Sequence, residues 1–151
     1  MKVHDILRVK GNTLYTVHPD ELLRNAVALM AEKDLGSLVV MHEGRLVGML
    51  TFREVMRSLM NNDGTMGDTW VGQAMNTAPQ TCTPTTDVDD VRRMMLTSRA
   101  RYMPVMNWQV LEGVISFFDV ARAVEEEQVF ENTMLKAYIR GSPYVENPKL
   151  A

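Results

Sequence analysis

The sequence predicts an α/β fold, with α+β character, in which two repeats pack together around a pseudo-twofold axis. The first observation is an internal repeat, because a shift of 65 positions superposes the two halves of the chain without a gap. The second is that strand-like runs and helical apolar stripes alternate in the same order within each half. The third is the composition, with 46% hydrophobic and 23% charged residues, which is typical of a folded globular domain.

The repeat sets the predicted domain boundaries. Identical residues superpose at Thr16 and Thr81, Pro19 and Pro84, Met30 and Met95, Val40 and Val105, Gly48 and Gly113, and Phe52 and Phe117. We predict a first repeat at residues 1–60, a second at 71–125, and a helical extension and tail at 126–151. Residues 61–70, NNDGTMGDTW, are polar and glycine-rich and are predicted to be a linker.

Each repeat reads as strand, helix, strand, hairpin turn, strand and helix, or βαββα. In the first repeat TLYTV is strand-like up to His18-Pro19, and DELLRNAVALMAEK carries apolar residues at helical spacing. SLVVM and RLVGML form a hairpin, because Glu43-Gly44 between them is a turn signal. The second repeat has the same order in DVDDVRRMML, YMPVM, NWQ and VLEGVIS. We expect a right-handed crossover and a three-stranded sheet in each repeat, which the other repeat helps to cover.

Charge and cysteine content exclude several classes of function. The net charge is −3 and there is no basic stripe, which argues against nucleic-acid binding. A single cysteine, Cys82, cannot form an internal disulfide, and the start of the chain has no apolar run suited to a signal peptide or a membrane span. We therefore expect a cytoplasmic location and no membrane partner. Metal-ligand spacings such as CxxC or HExxH are absent from the sequence, so no metal site is predicted.

A glycine, a hydroxyl and an acid recur at the end of each repeat, in GMLTFRE and GVISFFD. The start of a helix presents unpaired amides that favour an anion such as a phosphate, to which Thr51 or Ser116 can add a hydroxyl donor. Glycine, at Gly113 in the second copy, removes a Cβ where a ligand comes close to the backbone. An acid three residues after the hydroxyl, Glu54 or Asp119, can accept the hydroxyls of a ribose. The pattern therefore suits a nucleoside phosphate.

The same spacing is also that of a capping box, in which the acid bonds the backbone at the start of its own helix. The longer Glu54 suits such a reciprocal cap, whereas the shorter Asp119 is expected to cap less well. Asp119 is thus the better candidate for a ribose ligand, and capping remains the alternative for both acids.

These motifs, with the Thr-x-x-Pro strand ends and the segments RARYMPV and FFDVARAVEEEQ, resemble tandem cystathionine-β-synthase (CBS) domains, as in small stand-alone bacterial CBS-pair proteins. The resemblance covers about residues 3 to 125 and implies the paired arrangement called a Bateman module. It implies two clefts between the repeats that take an adenine nucleotide, AMP first and then NAD or ATP. Ser116 would contact phosphate and Asp119 the ribose, with Thr51 and Glu54 in the other cleft. The family has Asp where this chain has Glu54, which puts that cleft in doubt.

The resemblance also implies which residues form the walls of the clefts. The adenine would lie against the first strand of each repeat, at Thr16, Val17, Thr81 and Cys82. The remaining walls would come from Tyr102, Met103 and Pro104 in one repeat and from Gly36, Ser37 and Leu38 in the other. Independently of the family, Arg101 precedes a strand at a place where its guanidinium can reach a phosphate or remain solvated.

The last helix is predicted to continue from Phe117 to Gly141, because neither glycine nor proline interrupts the pattern before that point. It carries an apolar stripe beyond the second repeat, at Val124, Phe130, Met134, Leu135 and Tyr138. This stripe predicts a homodimer, which the resemblance also implies. The alternative is that the helix folds back over its own chain.

The sequence therefore predicts a non-catalytic regulatory module that senses an adenosine-containing nucleotide and acts on an unidentified protein partner. No catalytic constellation or catalytic cofactor is predicted, because Ser116 has no histidine base suggested by the sequence. Three alternatives remain open. They are a nucleotide-independent dimeric adaptor, an S-adenosylmethionine binder, and a nucleotide-hydrolysing enzyme, which would need a divalent metal.

Overall fold

The computed structural model describes residues 1–11 and 13–141. Along the chain its elements are α1 (Val3–Lys10), β1 (Thr16–Val17), α2 (Leu23–Lys33), β2 (Ser37–His42), β3 (Arg45–Thr51), α3 (Phe52–Asn61), α4 (Val71–Ala74), α5 (Val88–Ser98), β4 (Tyr102–Asn107), β5 (Val110–Ser116) and α6 (Phe117–Gly141). The predicted α/β repeats and long last helix are confirmed. Residues 142–151 of the predicted extension lie outside the described residues.

The first repeat forms a three-stranded sheet in the order β1-β2-β3. Strand β1 pairs with β2 in parallel, with Val17 opposite Val40, and β2 pairs with β3 in antiparallel fashion. The turn between β2 and β3 has positive φ at both Glu43 (51°) and Gly44 (76°). A type I′ turn requires positive φ at these two positions, and glycine makes the second one easy to adopt. The predicted hairpin is therefore confirmed.

The second repeat keeps the hairpin of β4 and β5 but reduces its first strand to one parallel bridge, between Cys82 and Val105. Cys82 donates its amide to the carbonyl of Pro104 at 3.1 Å and accepts from the amide of Met106 at 2.8 Å. This bridge occupies the position of the Val17 pair in the first sheet. The three-stranded prediction thus holds in the first repeat and only in part in the second.

Two short helices, α1 and α4, were not predicted, and each packs on the core of the other repeat. Val3 and Ile6 of α1 belong to the core cluster of the second repeat, whereas Val71 of α4 belongs to that of the first. The helix that opens each repeat therefore packs against the core of the other repeat, and these contacts join the two cores. Within residues 1–11 and 13–141, no helix combines the length and the hydropathy that crossing a bilayer requires.

The thiol of Cys82 is expected to be unreactive in the folded protein. Its side chain is buried, with 5% of its surface exposed, and burial raises the pKa of the thiol to about 12. Because the thiolate is the reacting species, we expect no labelling by a disulfide reagent at pH 8, and complete labelling after unfolding in urea. Rapid labelling of the folded protein, measured by the absorbance of the released thiol, would contradict this burial.

Candidate ligand site between the repeats

Two clefts lie between the repeats. The serine cleft, named after Ser116, is at the end of β5, and the threonine cleft, named after Thr51, is at the end of β3. The serine cleft has a volume of about 530 Å³ and is lined by Lys10, Thr13, Leu14, Tyr15, Asp34, Leu35, Gly36, Ser37, Val39, Arg101, Tyr102, Val114, Ser116, Phe117 and Phe118. The threonine cleft has a volume of about 590 Å³ and is lined by Met49, Thr51, Phe52, Arg53, Glu54, Met56, Arg57, Met60, Asn76, Pro79, Gln80, Ala100, Arg101 and Tyr102. Both volumes are in the range of small-molecule sites.

Ser116 and Asp119 form a reciprocal capping box at the start of α6. The amide of Ser116 donates to Asp119 Oδ2 at 2.8 Å, and the amide of Asp119 donates to Ser116 Oγ at 3.0 Å. The expectation that the shorter acid would cap less well is therefore wrong. One helical turn places the fourth residue directly over the helix start, so even an aspartate reaches the backbone.

Asp119 also accepts a hydrogen bond from Lys10, the last residue of α1. Lys10 Nζ lies 2.7 Å from Asp119 Oδ2 and 2.9 Å from the carbonyl oxygen of Val114. No hydrogen bond to the other carboxylate oxygen, Oδ1, is found within the described part of the chain. Burial acts to raise the pKa of Asp119, but the hydrogen bonds from Lys10 and Ser116 outweigh it, so this pKa lies below its ordinary value. Asp119 is therefore ionised at neutral pH.

Glu54 is held more tightly inside its own cap. Its Oε1 accepts from the amide of Thr51 at 3.0 Å and from the hydroxyl of Thr51 at 2.7 Å, while Thr51 Oγ1 accepts from the amide of Arg53 at 3.3 Å. Glu54 is 8% exposed. The hydroxyl hydrogen of Thr51 is thus already donated. The threonine cleft therefore has fewer free hydrogen-bond donors for a ligand than the serine cleft has.

Arg101 and Tyr102 line both clefts, because Arg101 directly precedes β4 and Tyr102 begins it, at the boundary between the two cavities. Arg53 also lines the threonine cleft, and its guanidinium donates to the carbonyl oxygen of Arg99 at 3.0 Å. Sequence reasoning missed Arg57 in the threonine cleft, although its position one turn after Arg53 on α3 was a signal. It also missed Lys10, because α1 was not predicted.

The predicted wall residues fall into two groups. Those that line a cleft are Gly36, Ser37, Thr51, Glu54, Arg101, Tyr102 and Ser116. Those that line neither cleft are Thr16, Val17, Leu38, Thr81, Cys82, Met103, Pro104, Gly113 and Asp119. In this second group, the structure buries Val17, Leu38, Cys82, Met103, Pro104 and Gly113. The walls expected from the first strands come instead from residues just before them, at 13–15 and 79–80.

The repeated glycine of the motif is in close contact with other side chains of the protein and does not face an open cavity. A Cβ added at Gly113 would lie 2.9 Å from a methyl carbon of Leu7, and one added at Gly48 would lie 2.5 Å from the sulfur of Met75. Both neighbours belong to the segments that open the repeats. The reason expected for Gly113, space for a ligand, is therefore replaced by close packing of α1 on β5.

Gly36 makes room for Tyr102, so we expect the two residues to be strongly coupled. A Cβ at Gly36 would overlap the Tyr102 hydroxyl oxygen, so Gly36→Ala must displace this ring. We expect Gly36→Ala to lower the free energy of unfolding by about 1 to 3 kcal/mol, the usual cost of overpacking. In a Tyr102→Ala background the same change should cost much less. Urea unfolding of the four proteins gives the coupling energy, and additive effects would contradict the contact.

Comparison of the sequence with known families and proteins gives consistent matches. A family model described as CBS domain matches residues 4–61 and again residues 71–126. CBSX3, a mitochondrial CBS domain-containing protein of Arabidopsis thaliana, is 30% identical over 148 residues, which cover 92% of this chain and 72% of the relative.

Solved structures of CBS-domain proteins share the fold. A CBS-domain protein from Burkholderia ambifaria has a TM-score of 0.78 at 29% identity, over 85% of this chain and 96% of that one. CBSX2 from A. thaliana, solved in complex with AMP, has a TM-score of 0.69 at 24% identity, over 84% and 98% of the two chains. The CBS domain pair of MJ0100, solved with 5′-methylthioadenosine and S-adenosyl-L-methionine, has a TM-score of 0.73 at 21% identity, over 84% and 98%.

Proposed function

The chain belongs to the CBS-domain family, and from that premise we propose that it is a regulatory module whose serine cleft binds an adenosine-containing nucleotide. AMP is the first candidate, and NAD and ATP follow. One observation carries the proposal: at the start of α6, Ser116 lines the cleft next to the ionised carboxylate of Asp119, whose Oδ1 has no hydrogen bond within the described residues. The Ser116 hydroxyl and a carboxylate are thus close together, although the amides of Phe117 and Asp119 already donate to Arg101 and Ser116.

Each part of a nucleoside phosphate has a partner in this arrangement. The phosphate would lie at the start of α6, near the Ser116 hydroxyl and within reach of the Arg101 guanidinium. The ribose hydroxyls would donate to Asp119, and the base would lie between Tyr15 and Tyr102, which line the same cleft. The complexes of CBSX2 with AMP and of MJ0100 with adenosyl compounds support an adenosine-type ligand for this fold.

We propose one nucleotide per chain rather than two. In the threonine cleft, Glu54 and the Thr51 hydroxyl satisfy each other, so that a ribose or a phosphate would have to break the cap. The cleft keeps three guanidinium groups, from Arg53, Arg57 and Arg101, but its carboxylate, Glu54, is buried and is hydrogen-bonded to Thr51 through Oε1.

We further propose that the module acts as a homodimer through α6. Beyond the second repeat this helix carries a tail stripe, defined as Phe130, Met134, Leu135 and Tyr138, whose side chains are 54% to 77% exposed. Val124, which the sequence assigned to the same stripe, packs against the core of its own repeat, whereas the tail stripe is exposed. A second copy offers the same stripe, and mutual burial removes both from water. A regulated protein partner and a cytoplasmic location, suggested by the single cysteine, remain proposals.

Calorimetric titration of the purified, ligand-free protein tests the proposed function. We expect saturable binding of AMP with about one site per chain, and weaker binding of S-adenosylmethionine. Unchanged ATP after long incubation with magnesium is the result expected of a non-catalytic module. The absence of heat with AMP, NAD, ATP and S-adenosylmethionine would favour the adaptor, for which the two complete capping boxes and the tail stripe already provide a structural basis.

A further inference from the structure

Lys10 lines the cavity that would hold the nucleotide and is paired with the proposed ribose ligand, Asp119. Its ammonium lies 2.7 Å from Asp119 Oδ2. Lys10 lines the serine cleft, whereas Asp119 does not. In the ligand-free protein, therefore, Lys10 forms part of the cleft wall, and its ammonium is paired with the carboxylate that a ribose would need.

The position of Lys10 is set by α1, the helix that opens the first repeat and packs against the second. Lys10 ends α1, whose residues Val3 and Ile6 are buried in the core of the second repeat. The same ammonium donates to the carbonyl oxygen of Val114 on β5 at 2.9 Å. It is thus held over the end of β5 by a helix that is itself fixed, and only the side chain needs to move.

The ion pair is weak enough for a ligand to replace. The side chains of Lys10 and Asp119 are 41% and 21% exposed, and ion pairs of such exposure contribute little to stability. A ribose that reaches Asp119 must nevertheless take Lys10 off Oδ2 or share the carboxylate with it. The displaced ammonium, which is 41% exposed, can then be solvated by water, but an anion in the partly enclosed cleft would stabilise it more.

A ligand phosphate is placed where it can supply that anion. Ser116, the proposed phosphate contact, donates its amide to the same Asp119 Oδ2 atom that binds Lys10. A rotation of the lysine side chain therefore carries the ammonium from the carboxylate towards a phosphate at the start of α6. Adenosine and 5′-methylthioadenosine have no anionic group and cannot compensate Lys10 in this way.

We propose that Lys10 makes the serine cleft selective for nucleosides that carry a phosphate, by exchanging its bond to Asp119 for one to the phosphate. This inference rests on the proposed function, since it assumes that the serine cleft binds a nucleotide. It adds a residue that decides the class of ligand. It also predicts that binding changes the contacts of α1, the helix that joins the repeats.

Affinities for AMP and adenosine, measured by calorimetry with the full chain, test the inference. Lys10→Met keeps the aliphatic stem and removes the charge, and Lys10→Arg keeps the charge as a control. We expect Lys10→Met to weaken AMP binding about tenfold, the effect of losing one charge-assisted hydrogen bond. Adenosine affinity should stay the same or increase, because Asp119 is no longer covered. Lys10→Arg should retain most of the preference for AMP.

The measured affinities distinguish a selectivity role of Lys10 from a packing role, and both from a failure of the proposed function. Equal weakening of AMP and adenosine by Lys10→Met would show that Lys10 only supports the packing of α1, and would overturn the selectivity. Unchanged affinity for both ligands would show that the nucleotide does not meet Lys10, which also overturns it. A wild-type protein that binds neither ligand, and that also binds neither NAD nor ATP, would overturn the proposed function itself. Thermal melting of the variants establishes that they are folded, and Lys10→Gln replaces Lys10→Met if the latter is not.

Discussion

Asp119→Ala is expected to abolish AMP binding at concentrations that saturate the wild-type protein, a loss of about a hundredfold or more in affinity. Two ribose hydroxyls that donate to an ionised carboxylate contribute about 1.5 to 3 kcal/mol each, which corresponds to such a factor. The measurement is a calorimetric titration of both proteins with AMP under identical conditions. No other single change in the serine cleft removes as many proposed contacts with the ligand.

The matched control for this variant is Glu54→Ala, because Glu54 makes the equivalent cap at the start of α3. Each alanine removes the acidic partner of a capping box and its hydrogen bond to the cap amide, so we expect both variants to lose about 1 kcal/mol of unfolding free energy. Only Asp119→Ala should lose AMP. If the two variants bind AMP equally well, or lose it equally, both acids act as helix caps and the ribose assignment is wrong.

Charge in the tail stripe is expected to dissociate the dimer. The double variant Phe130→Glu, Met134→Glu places two carboxylates on the apolar face of α6, where each buried side chain would otherwise contribute about 1.5 to 3 kcal/mol. Because the stripe occurs in both copies, four substituted positions meet in one interface. Sedimentation equilibrium should give twice the mass of one chain for the wild-type protein and the mass of one chain for the variant.

An exposed polar residue of the same helix provides the control. Glu131 lies next to the stripe without belonging to it. The Glu131→Gln variant should therefore sediment with the same mass as the wild-type protein. A wild-type protein that is monomeric at micromolar concentration would rule out the homodimer. A double variant that remains dimeric would place the interface on another surface.

The repeat and the elements within it could be predicted because they depend on local patterns. Alternating and helical apolar spacing identify β2, β3 and α2, and Glu43-Gly44 has the residue types that a tight hairpin turn requires. The length of α6 followed from the absence of glycine and proline before Gly141. These features do not depend on which parts of the chain meet in space.

The packing of α1 on the second repeat and of α4 on the first could not be predicted in the same way. Both helices are short, and what stabilises them is the core of the repeat that they cover rather than their own sequence. Lys10 was missed for the same reason, since it meets Asp119 across 109 positions of the chain. A lysine near the start of the chain gives no local signal that it belongs to a site at the start of the last helix.

The walls of the clefts were predicted two or three positions too late in the chain. Val17 and Cys82 pair with the central strands of their sheets and have their side chains on the core face, where both are buried, whereas Thr16, which is also paired, is exposed. The clefts open where the chain approaches each strand, at Tyr15 and Gln80. Sequence alternation identifies the buried face of a strand, but it does not show where the neighbouring repeat leaves space.

A crystal structure of the protein grown with AMP tests the central claim most directly. We expect the nucleotide in the serine cleft, with its ribose hydroxyls in hydrogen-bonding distance of Asp119, its phosphate at Ser116, and the Lys10 ammonium moved from the carboxylate to the phosphate. An empty serine cleft at saturating AMP would contradict the claim. So would a nucleotide bound elsewhere while Lys10 still contacts Asp119.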